Sequence, residues 1–384
     1  MKNLLIILIF TLIFPVSVRA NSFDISSEYV YFYNYDKNEI IYEQNKAVEI
    51  SIASLTKIMT AFVAIENIKD LDAEIVLTVN DFKGLKEANA STAGFKIGEK
   101  VTYRDLLYGL MLPSGADAAL ALSNNVAGSE EKFVILMNKK ANELNLEHTN
   151  FVNTTGLDVK NQFSTVEDVA KILLMALENP EFHEIFTTGR YVTSNKRITF
   201  RNKVINDSIL GSKAGYTYDA GLCLASISEN KGNRYLLITA GADYKTGKPN
   251  HVYDTTTIYS YFFEKYEYKN ILTKGDFIVS ISTEDEKKID FFVPYTKEVY
   301  APINSEIVSN YNGADLITYD MKTGDKIGSY NIYINGDLIE SIDIILKEEL
   351  DKPNLPIGLY VIGGIFCIFI ITLIIFISKR KTIQ

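Results

Sequence analysis

Residues 52–60 read IASLTKIMT and lead directly into the apolar run 61–65. Ser54 and Lys57 stand three positions apart, so they share one face of a helix and can meet at its start. A serine hydroxyl is a poor nucleophile unless a base lies within hydrogen-bond distance. A lysine can be that base when burial or a neighbouring cation lowers its pKa. The apolar neighbours predict such an environment, so this pair is the first candidate for a catalytic site.

The Ser-x-x-Lys pattern is by itself a weak signal, because so short a pattern recurs by chance. Further matches occur, for example at 228–231 in a polar turn and at 378–381 beside an apolar run. Only the match at Ser54 opens an apolar helix. On this motif alone, an ordinary helix start remains the alternative.

Both ends of the chain carry targeting signals. Residues 1–20 combine a basic start, an apolar stretch and a small-residue end, which is typical of a secretory signal peptide. Residues 357–378 are uncharged, apolar and long enough to span a bilayer as a helix. The basic tail 379–384 that follows is predicted to stay cytoplasmic. The sequence therefore predicts a single-pass protein of the cell membrane with its body outside the cytoplasm.

The composition excludes several classes of site. The three histidines lie far apart without ligand spacing, so we expect no metal site, no cofactor and no Ser-His-Asp triad. Cys223 lies in a predicted core strand and Cys367 in the predicted membrane segment, so the two cannot pair. The net charge of -9 argues against nucleic acid as a partner.

The apolar periodicity predicts a sheet with a helical insertion. The chain opens with strands at 29–33 and 39–42 around a polar turn. The elements predicted after the Ser54 helix are a mainly helical stretch at 104–185, strands at 191–200, 221–228 and 235–241, and an amphipathic helix at about 253–266. Strands, then helices, then strands indicate an α/β domain over residues 21–270.

A second domain is predicted over residues 271–350. Short alternating runs replace the helical pattern after Leu272, and Asn335-Gly336 separates two of them. Asn-Gly between alternating runs is a strong hairpin signal. We therefore expect a small all-β domain, followed by a linker to the membrane segment.

Four further segments change the interpretation of Ser54. They are 98–107 (GEKVTYRDLL), 112–119 (LPSGADAA), 151–158 (FVNTTGLD) and 211–217 (GSKAGYT). Together with 52–60, they resemble the D-alanyl-D-alanine carboxypeptidases, the serine peptidases that are also low-molecular-weight penicillin-binding proteins. The resemblance implies a penicillin-binding/serine β-lactamase-like transpeptidase domain, with an antiparallel sheet flanked by helices.

The resemblance also assigns catalytic roles. The family has three elements, Ser-x-x-Lys, Ser-x-Asn and Lys-Thr-Gly. The first is intact at Ser54, the implied nucleophile, and Lys57, its implied base. The second falls on Ser114-Gly115-Ala116, where alanine replaces asparagine, and Ser114 would relay a proton. The third falls on Lys213-Ala214-Gly215, where alanine replaces threonine, and Lys213 would lower the pKa of Lys57.

The substrate-binding residues implied by the resemblance are Gly215, Tyr216, Thr217 and Lys248. The backbone N–H groups of Ser54 and Tyr216 would form an oxyanion hole. Thr217, with Lys213 and Lys248, would bind the substrate carboxylate, and Lys248 stands near the place where the family often has arginine. Thr217 has an alternative role as an ordinary strand residue.

Three literal motif matches are rejected as decoys. Lys245-Thr246-Gly247 precedes a proline in a turn, and Lys322-Thr323-Gly324 lies in the predicted β domain. Ser123-Asn124-Asn125 lies too far along the chain from Ser114.

The leading prediction is a carboxypeptidase that removes the terminal D-alanine of peptidoglycan stem peptides and is acylated by β-lactams. The alternative is a degenerate family member that binds peptidoglycan or a cell-wall partner without turnover. The alanines at 116 and 214 motivate this alternative. A β-lactamase is disfavoured, because the matched motifs contain no candidate deacylating glutamate.

Overall fold

A computed structural model describes residues 24–202, 204, 207–352 and 368–375. The chain divides into two compact units, Met1–Glu267 and Tyr268–Gln384, close to the predicted boundary after residue 270. The predicted signal peptide, the cytoplasmic tail and most of the predicted membrane segment lie outside the described residues. Residues 368–375 form a helix. Among the described residues, no helix is both long and apolar enough to cross a membrane.

Helices and strands are numbered in chain order. The helices are α1 Thr56–Asn67, α2 Tyr103–Met111, α3 Ala116–Ala127, α4 Glu130–Glu143, α5 Val166–Leu177, α6 Pro180–Thr187 and α7 Asn250–Lys265, with 3-10 turns at Ala53–Leu55 and Val79–Phe82. The first nine strands are β1 Tyr29–Asn34, β2 Glu39–Gln44, β3 Glu74–Val76, β4 Lys100–Thr102, β5 Arg190–Val192, β6 Thr199–Arg201, β7 Gly211–Thr217, β8 Gly221–Asn230 and β9 Asn233–Ala242. The later strands are β10 Tyr266–Leu272, β11 Phe277–Thr283, β12 Lys288–Phe292, β13 Lys297–Pro302, β14 Ile307–Gly313, β15 Leu316–Ile317, β16 Lys326–Ile334 and β17 Asp337–Ile345.

The first unit is built on a five-stranded antiparallel sheet in the order β2-β1-β9-β8-β7. Successive side chains of a strand point to opposite faces, so neighbours serve different layers. Phe32 packs with Tyr259 and Phe262 of α7 on one face. Tyr31 joins the core cluster under the helical layer. Strand β7 ends the sheet, and its outer edge is unpaired among the described residues.

Helix α1 is the centre of the helical layer. Its residues from Thr56 to Ile65 are all buried, and it packs against α2, α3, α4, α5 and α6. A helix that is apolar nearly all round belongs in an interior. The apolar surroundings predicted for Lys57 are therefore present.

The prediction of one strand at 191–200 is wrong. The chain instead forms the hairpin β5–β6, and its turn is tied to other segments. Ser194 donates hydrogen bonds to Asp105 from its backbone N–H at 2.8 Å and its hydroxyl at 2.5 Å. Arg197 binds Glu99 through Nε at 2.5 Å. The apolar periodicity of the sequence cannot reveal this turn, because the contacts that stabilise it are polar and come from distant parts of the chain.

The described part of the second unit up to residue 352 is built of strands, as predicted for the small β domain. Its strands form the sheets β10-β13, β12-β11-β15 and β14-β16-β17. Strands β16 and β17 pair through the predicted hairpin, with Asn335 at φ 53° and Gly336 at φ 90°. Two successive positive φ angles are the signature of the turn that Asn-Gly favours.

Candidate active site

The Ser54 turn precedes α1. Ser54 lies in the middle of the 3-10 turn, and the N–H of Leu55 donates to the carbonyl of Ile52 at 3.0 Å. The Lys57 Nζ donates to the Ser54 Oγ at 2.9 Å. Ala53 has φ 45°, a left-handed conformation that is uncommon for residues other than glycine. The predicted pair therefore meets on a backbone that the surrounding structure must hold.

Two glycines hold that backbone by letting other segments approach it. Gly156, at φ 79°, lies so close that an added Cβ would stand 1.9 Å from the carbonyl oxygen of Ala53. A Cβ on Gly215, in β7, would stand 2.9 Å from the backbone nitrogen of Ser54. The nucleophile's turn is thus packed between a loop and the edge strand, backbone against backbone.

The loop at 151–158 provides a second acceptor for Lys57. The Lys57 Nζ donates to the carbonyl of Thr155. Asn153 shapes this loop, because its Oδ1 accepts from the N–H groups of Thr155 at 3.1 Å and Gly156 at 2.7 Å. The sequence marked this segment through the family resemblance, but it gave no role to the Thr155 carbonyl, since any residue type has one.

The same loop is also anchored to α4. The Glu130 carboxylate accepts from the backbone N–H of Thr154 at 2.9 Å and from its hydroxyl at 2.7 Å. The Thr154 carbonyl in turn accepts from the hydroxyl of Thr60 on α1 at 2.8 Å. The loop is therefore fixed to both helices beside the Ser54 turn.

A second serine–lysine pair joins strand β7 to the turn before α3. The Lys213 Nζ donates to the Ser114 Oγ at 2.9 Å and to the carbonyl of Ala214 at 2.7 Å. Ser114 stands before α3 with φ 63°, another left-handed residue that is not glycine. Lys213 is only 2% exposed. The structure thus joins two predicted residues that lie 99 positions apart.

Burial governs the charge of both lysines. Desolvation lowers the pKa of Lys57 to about 7, while the nearby Asp117 carboxylate opposes that change. Desolvation also lowers the pKa of Lys213, and the Lys57 cation lowers it further. Two buried amines that repel each other titrate as a pair. A neutral amine is therefore accessible beside Ser54 near neutral pH.

A cavity opens beside the second pair. It has a volume of about 580 Å³, and its lining includes Ser114, Lys213 and Ala214 together with Phe200 and Arg201 of the β5–β6 hairpin. This volume falls in the range of small-molecule sites. A separate cavity of about 610 Å³, lined by Ser51, Asp158, Tyr218, Asp243 and others, contains neither serine–lysine pair. We therefore place the candidate substrate cleft along β7 at the first cavity.

The two departures from the family pattern are structurally distinct. Ala116 is 2% exposed and packs with Leu85 and Leu120 in an apolar cluster. Ala214 lines the cleft and presents its carbonyl to Lys213. A polar side chain at 214 would face the cleft, whereas one at 116 would enter apolar packing.

The predicted substrate-binding residues have different positions. Gly215 touches the Ser54 turn, as described above. Tyr216 is half exposed, and its ring packs against that of Tyr244 with centroids 5.2 Å apart. The Thr217 Oγ1 accepts from the N–H of Ala220 at 3.2 Å, so the hydroxyl also serves the β7–β8 turn.

Lys248 is not brought to the pairs in the described part of the chain. It lies in the exposed turn between β9 and α7, and it lines neither cavity. His251 follows in the first turn of α7, and its buried Nδ1 lacks a hydrogen-bond partner among the described residues. Burial lowers the pKa of this histidine. The sequence gave no signal for His251, because an isolated histidine carries no motif.

The rejected matches lie away from the cleft. Ser123 is buried in α3, where its hydroxyl donates to the carbonyl of Leu120 at 2.9 Å. Lys245 stands in the exposed turn after β9, and Lys322 belongs to the second unit.

Known proteins resemble this chain over most of its length. The family model described as D-alanyl-D-alanine carboxypeptidase matches residues 16–244. The D-alanyl-D-alanine carboxypeptidase DacF of Bacillus subtilis is 27% identical over 345 residues, which cover 83% of this chain and 84% of the relative. The D-alanyl-D-alanine carboxypeptidase DacA of Escherichia coli is 27% identical over 354 residues, covering 86% of this chain and 85% of the relative.

Solved structures agree on the fold. A Streptomyces K15 DD-transpeptidase superposes with a TM-score of 0.58 and 29% identity, covering 63% of this chain and 98% of that one. The D-alanyl-D-alanine carboxypeptidase DacD of Francisella tularensis superposes with a TM-score of 0.66 and 21% identity, covering 86% of this chain and 95% of its own. The predicted transpeptidase fold of the first unit is confirmed.

The contact between Gly156 and the Ser54 turn predicts a stability difference between two glycines. Gly156→Ala and Gly84→Ala both place alanine at a similar positive φ, 79° and 76°. That conformation alone costs about 1–2 kcal/mol. An added Cβ meets nothing within 4 Å at Gly84, whereas at Gly156 it overlaps Ala53. Overlap in a packed interior costs about a further 1–3 kcal/mol. Urea unfolding of the two variants should show the larger loss for Gly156→Ala, and equal losses would contradict the packing described.

Proposed function

This chain belongs to the D-alanyl-D-alanine carboxypeptidase family and is a serine carboxypeptidase, and we propose that it removes the terminal D-alanine of peptidoglycan stem peptides through an acyl-enzyme on Ser54. The observation that carries the proposal is the 2.9 Å hydrogen bond from the Lys57 Nζ to the Ser54 Oγ inside a buried environment. A nucleophile and its base have to come within hydrogen-bond reach for the proton to be transferred.

Acylation begins with proton transfer. Neutral Lys57 accepts the proton of Ser54 as the Oγ attacks the carbonyl carbon of the penultimate D-alanine. The resulting oxyanion accepts hydrogen bonds from the backbone N–H groups of Ser54 and Tyr216. Each such donor is worth about 3 kcal/mol of transition-state stabilisation. The close packing of Gly215 on the Ser54 backbone supports this pairing of donors.

The leaving D-alanine needs a proton on its amine. The Ser114 hydroxyl donates it, and Lys213, hydrogen-bonded to that hydroxyl, supplies the replacement. The proton that Lys57 took from Ser54 then restores Lys213, which leaves Lys57 neutral before deacylation. A water molecule then attacks the ester carbonyl, with Lys57 again accepting a proton. Hydrolysis returns Ser54 to its hydroxyl form and releases the shortened peptide.

The carboxylate of the terminal D-alanine requires a cation or a hydroxyl. On this proposal Lys213, which lines the cavity, and Thr217, on the same strand, supply them. Lys248 is the weaker candidate, because its turn is exposed and away from the cavity. Lysine offers a point charge in place of the fork of an arginine, so the carboxylate is held with less directional control.

β-Lactams would acylate the same serine, because their strained amide places a carbonyl where the peptide's carbonyl binds. The signal-like residues 1–20 and the apolar run 357–378 support export and anchoring by one membrane helix. On this proposal the catalytic unit acts outside the cytoplasm, where peptidoglycan is found.

The alanines at 116 and 214 favour a second candidate, a family member that binds peptidoglycan without turnover. Both positions lack the polar side chain of the family pattern, which removes groups that would position a peptide. The retained hydrogen bonds of Lys57 and Lys213 support turnover instead, since they are the groups that move protons. Release of D-alanine separates the two candidates.

We expect penicillin to label Ser54 in the full-length protein, as seen by mass spectrometry of tryptic peptides. Lys213→Ala should abolish the adduct, because it removes the partner of Ser114. Lys245→Ala and Lys322→Ala are matched controls from the rejected motifs and should leave labelling intact. An adduct on another serine, or loss of labelling in Lys245→Ala, would show that the motifs are misplaced.

The rate of acylation should rise with pH around a midpoint near 7. Only the neutral amine of Lys57 can accept a proton, and desolvation sets its pKa at about 7. The reactive fraction is therefore small in acid and complete in mildly alkaline solution. Second-order acylation rates measured across this range test the expectation. A midpoint close to the ordinary lysine value of 10.5 would remove Lys57 as the base.

Ala214→Thr should raise kcat/KM for a peptide ending in D-Ala-D-Ala. The new hydroxyl lines the cleft and can donate to the substrate carboxylate, a hydrogen bond worth about 1.5–3 kcal/mol, or roughly a 10–150-fold gain. Ala214→Val has the same shape without the hydroxyl and should give no gain. Release of D-alanine is the measurement. Equal gains from both variants would assign the effect to packing, and no release from any variant that still binds penicillin would favour the non-catalytic candidate.

A further inference from the structure

Asp117 is a buried carboxylate beside the turn that contains Ser114. It stands in the first turn of α3, three residues after Ser114, and it is 1% exposed. Its Oδ1 accepts from the N–H groups of Ala93 at 2.7 Å and Ala118 at 3.0 Å. Its Oδ2 accepts from Gly94 at 3.1 Å and Phe95 at 3.2 Å. Four backbone donors thus satisfy the carboxylate without a bonded cation among the described residues.

The same side chain packs against the Ser114 turn. A Cβ on Gly115 would lie 2.6 Å from the Asp117 Oδ1 and 2.7 Å from the Cβ of Ala93. The turn that contains Ser114 at φ 63° is therefore packed against the Asp117–Ala93 hydrogen bond. Ala93 itself lines the cavity of the cleft. A substitution at Asp117 would therefore alter the position of a residue that lines the cavity.

The Asp117 carboxylate opposes the lowering of the Lys57 pKa that burial causes. Buried charges interact strongly, because no water screens them. The other buried charged groups on elements around α1 and the Ser54 turn are Lys213 on β7, Asp105 on α2 and Asp168 on α5. The partly buried charged groups on the helices packed against α1 are Arg104, Glu130, Lys140, Glu167, Lys171 and Glu181. Lys213 carries like charge, and Glu130 is hydrogen-bonded to Thr154. The Asp105 carboxylate accepts a hydrogen bond from Ser194, and the Asp168 carboxylate accepts one from Thr149.

We propose that Asp117 is a positioning residue for the catalytic pair, acting on the Lys57 ammonium through its buried negative charge and on the Ser114 turn through its packing against Gly115. The inference rests on the proposed role of Lys57 as the base. Burial alone would lower the pKa of Lys57 further, and Ser54 would then lie beside a weaker base. The carboxylate returns basicity to the amine, so that Lys57 can hold the proton it takes from Ser54.

The charge effect predicts a shift in the pH profile. Asp117→Asn keeps the shape but removes the charge, so the protonated amine is less stabilised and the acylation midpoint should move to lower pH. We expect a shift of about one pH unit, which makes the rate, relative to each variant's own plateau, about tenfold higher on the acid side. Asp117→Glu keeps the charge and should keep the midpoint, even where altered hydrogen bonds reduce the plateau.

Asp105→Asn is a matched control. Asp105 is 0% exposed, lies in the first turn of α2 and accepts from four donors on Thr102, Tyr191 and Ser194. Its replacement should cost stability to a similar degree and leave the midpoint unchanged. A merely structural role for Asp117 would make the two asparagine variants behave alike.

The experiment measures penicillin acylation rates of the full-length protein and its variants as a function of pH. A lower midpoint in Asp117→Asn, with unchanged midpoints in Asp117→Glu and Asp105→Asn, supports the inference. A wild-type midpoint in folded Asp117→Asn overturns it. Should that variant not fold, Asp117→Ser, which fits the space and keeps an acceptor oxygen, takes its place with the same expected shift. Absence of any Ser54 adduct in the wild type would instead overturn the proposed function, and the inference with it.

Discussion

The burial of the Lys57 amine beside Ser54 is the constraint on which the first unit depends. An ammonium group in an apolar interior is costly, and the cost appears as a lowered pKa. Helix α1 creates that interior, because the helical layer surrounds it and leaves Lys57 2% exposed. The amine keeps two acceptors, the Ser54 Oγ and the Thr155 carbonyl, so its donors are not left unsatisfied. Burial makes the lysine a base, and the two hydrogen-bond acceptors offset part of the free-energy cost of burying the amine.

Such a site has to be assembled from distant segments. Thr155 is 98 positions from Lys57, and Ser114 is 99 positions from Lys213. Two of these segments approach the Ser54 turn through glycine. Gly156 lies against the backbone of Ala53 and Gly215 against the backbone of Ser54, and a Cβ at either glycine would prevent this approach. Glycine at these positions therefore has a steric cause that is separate from its turn-forming role.

The sequence predicted what is local or patterned. Ser54 and Lys57 are joined by helical spacing, and the β16–β17 hairpin follows from Asn335-Gly336. The contribution of Thr155 could not be predicted, because a carbonyl is common to every residue type. Asp117 was hidden for a related reason, since its partners are backbone N–H groups of Ala93, Gly94 and Phe95. The proposed place of Lys248 relied on nearness in sequence to a family position, and the residue lies in an exposed turn that lines neither cavity.

The departures at 116 and 214 separate reactivity from recognition. Every group to which the mechanism gives a proton or a charge is present and hydrogen-bonded, at Ser54, Lys57, Ser114 and Lys213. The missing side chains belong to the surroundings of those groups. At 116 the apolar contacts with Leu85 and Leu120 take up the position, so the loss is built into the packing of α3. At 214 the alanine side chain is shorter than the threonine of the family pattern, and it lies on the edge strand β7, which has no partner on its outer side among the described residues. A site altered in this way retains its nucleophile and loses directional contacts, so its selectivity depends more on the backbone of β7 and on the shape of the cleft.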